Sequence, residues 1–134
     1  MTARPILIVD RDEISNFISK NALRKVGFTG EFVWAKTCDE AFNVILDLHT
    51  RKNVYPAMIL VEYNVCYANH LEFQNKVDML TKEPKIPIKI MGNLSDADVA
   101  KLNELRLHGV IDNKPLTPQK INYLKPIIFQ ESLS

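Results

Sequence analysis

Ile6-Leu7-Ile8-Val9-Asp10-Arg11-Asp12-Glu13 opens the chain on four consecutive apolar residues that break into a cluster of charge. Four such side chains in a row, without alternation, suit a parallel strand covered by helices on both faces. The same form returns at Ala57-Met58-Ile59-Leu60-Val61, which ends on Glu62-Tyr63-Asn64. More mixed β-branched runs at 31–35, 86–91 and 109–111 bring the predicted strands to five, each separated from the next by a longer stretch of helical pattern.

The helices announce their starts. Thr37-Cys38-Asp39-Glu40 has the Ser/Thr-x-x-Glu form of a capping box, Ser95 precedes an acidic first turn, and Thr117-Pro118 sets a cap residue before a proline at the first helical position. Asn69-His70-Leu71-Glu72 reads similarly. Ile14, Phe17, Ile18, Ala22 and Val26 recur at helical spacing before Gly27, a good stop residue, which predicts a first helix over about residues 12 to 26 with those five as its apolar stripe. Pro126 should end or kink the fifth helix near Lys125.

Strand and helix in strict alternation imply right-handed crossovers. The expected fold is therefore α/β: three layers around a doubly wound, five-stranded parallel sheet of order 2-1-3-4-5, with its functional crevice at the carboxyl ends of strands 1 and 3. Asp10, Arg11, Asp12 and Glu62 gather there. The 134 residues, 46% apolar and 25% charged, suit one domain over 1–134 with an ordered core from about 4 to 129. A formal charge of +1 without runs of like sign marks no nucleic-acid surface, and no apolar stretch is long enough to span a membrane. Cys38 and Cys66 form neither a zinc spacing nor a disulfide framework, which points to a reducing, cytoplasmic setting in which Cys66 simply packs. His49, His70 and His108 share no metal spacing, and the last two read as surface residues near helix ends.

From Ile6 to Pro115 the chain resembles the response-regulator receiver domain of the chemotaxis type, most specifically at Ile6–Glu13 and at Asn113-Lys114-Pro115-Leu116. The resemblance implies a flavodoxin-like fold and a protein-interaction role in two-component, or phosphorelay, signalling. In that family adjacent acidic residues after strand 1 help hold Mg²⁺, an aspartate after strand 3 takes a phosphoryl group, and a lysine after strand 5 contacts it. Asp10 and Lys114 match, whereas Arg11 and Glu62 do not. The Thr or Ser that closes strand 4 and the aromatic on strand 5 are replaced by Gly92 and Ile111.

Those departures disfavour the family's chemistry. Mg²⁺ is usually held by one or two carboxylates with phosphate oxygens and water, and Arg11 offers a permanent cation where a ligand belongs. An extra methylene at Glu62 displaces its oxygen by about an ångström, a misplacement that can cost on the order of 100-fold in rate. The reading is a pseudo-receiver: no catalytic residue, no metal, no cofactor, with Glu62 as the fixed carboxylate partner of Arg11 and Lys114. Its expected contact is a protein, such as a histidine kinase or another signalling protein, through the face of helix 4, strand 5 and helix 5. Ile127-Ile128-Phe129 is either a homodimer or partner patch or the packing seam of helix 5, and the seam is favoured. Asp10 and Asp12 equally suit capping of helix 1. Two alternatives remain: weak Mg²⁺-dependent phosphotransfer with Asp12 and Asp10 rebuilding the metal site, and a flavodoxin-like binder of a small ligand, against which the glycine-free acidic turn after strand 1 speaks.

Overall fold

A computed structural model describes residues 4–66, 70–81, 85–104, 110–113, 116–126 and 128, with backbone alone for 110–113. Strands β1 (Ile6–Val9), β2 (Phe32–Ala35), β3 (Met58–Glu62), β4 (Ile88–Gly92) and β5 (Val110–Asn113) form one sheet of order β2-β1-β3-β4-β5, as the alternation predicts. Every pairing is parallel, and the register sets Val9 beside Val61 and Glu62 beside Met91. Strand β5 runs past its expected end, with Ile111 paired to Ile90.

Alternate side chains of the uninterrupted apolar runs enter two separate cores, which is why those runs show no polar alternation. Ile6, Ile8, Met58 and Leu60 pack with Ala22, Leu23 and Val26 of helix α1 (Glu13–Val26) and with Leu116, Ile121, Leu124 and Ile128. Leu7, Val9, Ile59 and Val61 pack on the other side with Ala41 and Ile45 of α2 (Cys38–Lys52) and with Phe73 and Val77 of α3 (His70–Thr81). Full burial of each such aliphatic side chain contributes about 1.5–3 kcal/mol, so the two cores dominate the fold's stability. Helix α4 (Asp96–Glu104) follows β4.

The caps largely follow the sequence. Asp12 accepts the Ile14 N–H at the start of α1, and Gly27, at φ 120°, returns its own N–H to Leu23 and Arg24 at the end. Thr37 Oγ1 accepts the Glu40 N–H, while Glu40 reaches back to the Lys36 N–H. Ser95 and Asp98 cap α4 reciprocally, each side chain accepting the other's N–H. Asn53, in the left-handed region at φ 54°, closes α2.

Four expectations need correction. The inward stripe of α1 is Asn16, Ser19, Ala22, Leu23 and Val26, whereas Ile14 (71% exposed), Phe17 (62%) and Ile18 (39%) face outward. The Asp12 cap and a Ser15 Oγ hydrogen bond to Asp10 fix how the first turn is rotated, and that rotation turns Asn16 and Ser19 toward the sheet. Second, the segment from Thr117 is not an uninterrupted fifth helix: residues 118–121 are turns, Asn122–Leu124 is a 3₁₀ helix, and residues 125, 126 and 128 are helical. Third, His70 is buried, not on the surface. Fourth, Cys38 and Cys66 are joined as a disulfide. Ile128 is buried in the first core, in line with the seam reading; residues 127 and 129, and His108, lie outside the described residues. Among the described residues no helix is long and apolar enough to cross a membrane.

Candidate functional site

The sheet order brings the ends of β1 and β3 side by side, and the buried acids Asp10 and Glu62 emerge there. Asp10 Oδ1 accepts the Asp12 N–H at 3.0 Å and Oδ2 accepts the Ser15 hydroxyl at 2.7 Å. Its backbone carbonyl accepts the Trp34 indole N–H at 2.7 Å. The side chain thus ties the strand end to the first turn of α1, and Asp12 caps that helix, which agrees with the capping role weighed for both.

Glu62 is only 9% exposed, and its Oε2 accepts the Asn64 N–H at 2.9 Å. Arg11 is solvent-exposed and makes no ion pair among the described residues, so the expected Arg11–Glu62 pairing is not formed. A guanidinium in water retains its hydration, and bringing it to a nearly buried carboxylate would cost much of the Coulombic gain. Lys114 lies outside the described residues, as does the side chain of Ile111.

Gly92 explains where the long side chain of Glu62 fits. A Cβ at position 92 would stand 3.3 Å from Glu62 Oε1 and 3.1 Å from Tyr63 Cβ, both tighter than ordinary van der Waals contact. With Tyr63, the Glu62 carboxylate crowds the place that a Cβ on the last residue of β4 would take. One longer side chain and one missing side chain form a single packing solution, which the sequence shows only as two separate departures.

Tyr63 extends the site sideways, a role that sequence reasoning missed. Its hydroxyl donates to Asp98 Oδ1 of α4 at 3.3 Å, and its carbonyl accepts the Nε2–H of His70 at 2.8 Å, which fixes that imidazole's tautomer. The Tyr63 and His70 rings stack with centroids 5.3 Å apart. Burial lowers the His70 pKa below its ordinary value, with the Tyr63 hydrogen bond opposing the shift. Asp98 is also lowered, chiefly by the Ser95 backbone N–H. The only sequence signal for this chain of contacts was a histidine near a helix start, which reads equally well as solvated.

The donors fit a magnesium ion poorly. Both Asp10 oxygens already accept hydrogen bonds, the Asp12 carboxylate caps α1, Glu62 accepts from Asn64, and the remaining neighbour is a cation. Among the described residues no group of three His, Cys, Asp or Glu side chains is placed to hold a metal. An open cavity of about 290 Å³ lies beside the site, lined by Asp12, Ile14, Ser15, Ile18, Asn93 and Leu116.

No protein-family model matches the chain, and no curated protein sequence does. Solved structures do. A two-component response regulator from Legionella pneumophila is similar over 95% of this chain and 98% of its own, at TM-score 0.72 and 20% identity. A putative response regulator from Chloroflexus aurantiacus covers 96% and 99%, at TM-score 0.68 and 25% identity. A chemotaxis response regulator of Vibrio cholerae covers 94% and 99%, at TM-score 0.66 and 19% identity. With the parallel 2-1-3-4-5 sheet and the paired acids at the ends of β1 and β3, these likenesses establish that the chain has the receiver fold of the response regulators.

Proposed function

We propose that this chain is a receiver-like module of two-component signalling that works by binding a protein partner, without becoming phosphorylated and without acting as an enzyme. The observation that carries the reading is the wedge of Glu62 against Gly92. A phosphoryl acceptor must present its oxygen in line to phosphorus with a metal neutralising the developing charge. Glu62 instead has one oxygen held by the Asn64 amide and the other close against the end of β4, and Arg11, exposed to solvent, stands in the chain where the family has a second acidic ligand. The hydroxyl that would close over a phosphoryl group has no counterpart at Gly92, where even a Cβ would crowd Glu62 and Tyr63.

The exposed Ile14, Phe17 and Ile18 offer the outer face of α1 as a contact surface, alongside the exposed Tyr123 of the segment after β5. On α4, part of the face expected to bind, no large apolar residue is exposed among the described residues. Incubation with Mg²⁺ and beryllofluoride, or with acetyl phosphate, tests the central claim. Intact mass should show no adduct and the amide spectrum no shift. A stoichiometric adduct that disappears in Glu62→Gln would overturn it.

A further inference from the structure

We propose that Cys38 and Cys66 are a reversible thiol–disulfide exchange site that clamps the segment following Glu62 to the start of α2. The inference is independent of the signalling role, since it rests on where the two sulfurs sit. Their Cα atoms are 5.7 Å apart, inside the range that a disulfide requires without backbone movement. Cys38 is the first residue of α2, and Cys66 ends the helical turn Tyr63–Cys66 that leaves β3. That turn contains Asn64, whose amide holds Glu62. The crosslink therefore restrains the group that positions the site's central carboxylate.

The two thiols differ in access, which sets the order of reaction. Cys66 is 3% exposed, while Cys38 is partly exposed and borders an open cavity of about 280 Å³ between α2 and α3, with Phe42, Glu72 and Lys76 on its walls. A small soluble disulfide such as oxidised glutathione reaches Cys38 first. The Cys38 thiolate attacks one glutathione sulfur, forming a mixed disulfide and releasing one glutathione thiolate, which takes up a proton. The Cys66 thiolate then attacks the Cys38 sulfur, forming the protein disulfide and expelling the second glutathione. Two protein thiols lose two electrons in all, and one oxidised glutathione becomes two reduced ones.

The surrounding structure does not need the bond to form. Thr37 caps α2 through the Glu40 and Ala41 amides, and β3 is paired on both sides. Reduction should therefore release the turn while leaving the sheet intact, which is the behaviour of an exchange site rather than a structural staple.

The full chain, equilibrated across glutathione buffers from fully reducing to fully oxidising and quenched with N-ethylmaleimide, should pass from two alkylated thiols to none with a midpoint inside the series. Hydrogen exchange at the Asn64 amide should be at least about tenfold faster in the reduced form, with the Leu7 amide unchanged. Cys66→Ser should stop at a single glutathione adduct, and Cys38→Ser should acquire none. Thiols that remain alkylatable in the most oxidising buffer, a bond that survives the most reducing one, or equal Asn64 exchange in the two forms would each overturn the proposal. So would faster exchange at Leu7 on reduction, which would make the bond structural.

Discussion

Replacing Gly92 by alanine tests whether Glu62 and Gly92 are one packing unit. The new methyl would meet Tyr63 Cβ at 3.1 Å, Glu62 Oε1 at 3.3 Å and Leu94 Cδ2 at 3.6 Å. The first two contacts demand shifts of a few tenths of an ångström in a buried site, and overpacking of this kind costs about 1–3 kcal/mol. Loss of glycine's freedom in the unfolded chain returns about 0.4–1 kcal/mol. The net expectation for Gly92→Ala is a destabilisation of about 0.5–2 kcal/mol. With a urea slope of about 2 kcal/mol/M, that lowers the unfolding midpoint by about 0.3–1 M. In a Glu62→Asp background the carboxylate withdraws by one methylene and the 3.3 Å conflict disappears, while Tyr63 Cβ, anchored to the main chain, stays. The cycle of four proteins should then show about 0.5–1 kcal/mol of favourable coupling between the two changes. Urea unfolding at one pH, followed by fluorescence of the single tryptophan Trp34, measures it. A Gly92→Ala protein as stable as the parent, or the same loss in both backgrounds, would refute the shared-space account.

Stability should also depend on His70. Its pKa is lowered from the ordinary 6.5, so the folded state favours the neutral ring, and the unfolded chain takes up protons first as pH falls. The contribution is complete above about pH 6.5 and is lost as the pH drops toward the lower folded value; urea midpoints at pH 5 and pH 7.5 should differ, and His70→Gln should flatten that part of the profile. Asp12→Ala should cost about 1 kcal/mol by removing the α1 cap, and by the same amount with and without millimolar Mg²⁺, which thermal melts in the two buffers would show. On α1, Ile14→Ser and Phe17→Ser should change unfolding free energy by no more than about 0.5 kcal/mol, while Leu23→Ala should lose about 2–5 kcal/mol; comparable losses in all three would refute the assignment of the inward face.

The strands and their order were legible because an unalternating run such as Leu7-Ile8-Val9 has one comfortable place, the middle of a sheet covered twice. The face of α1 was not, because its first half carries two stripes at the same period. Ile14-Phe17-Ile18 competes with Asn16-Ser19-Leu23, and hydrophobicity favours the stripe that lost. Contacts between α1 and strand ends settled the contest: Ser15 with Asp10, local to the end of β1, and Ser19 Oγ with Met91 Sδ of β4 at 3.7 Å. Asp10, Arg11, Asp12, Glu62 and Gly92 could be named in advance from local motifs. Their relations could not, since the tie between Glu62 and Gly92 depends on the parallel register that puts Glu62 beside Met91. The cysteine pair was equally hidden: 28 residues separate the two, and nothing in their spacing shows that the start of α2 and the turn after β3 meet on the same side of the sheet. His70 was misplaced because its burial follows from stacking on Tyr63, a partner that its own flanking residues do not reveal.

The shared space of Glu62 and Gly92 also shapes the routes by which this sequence can change. Placing a side chain at 92 crowds Glu62 Oε1 and Tyr63 Cβ, and shortening Glu62 relieves only the first of those contacts. A change at either position alters what the other accepts, while Tyr63 Cβ limits position 92 in both cases. The two positions should therefore change together: the constraint between them is steric and lies inside the fold, whatever the partner outside it requires.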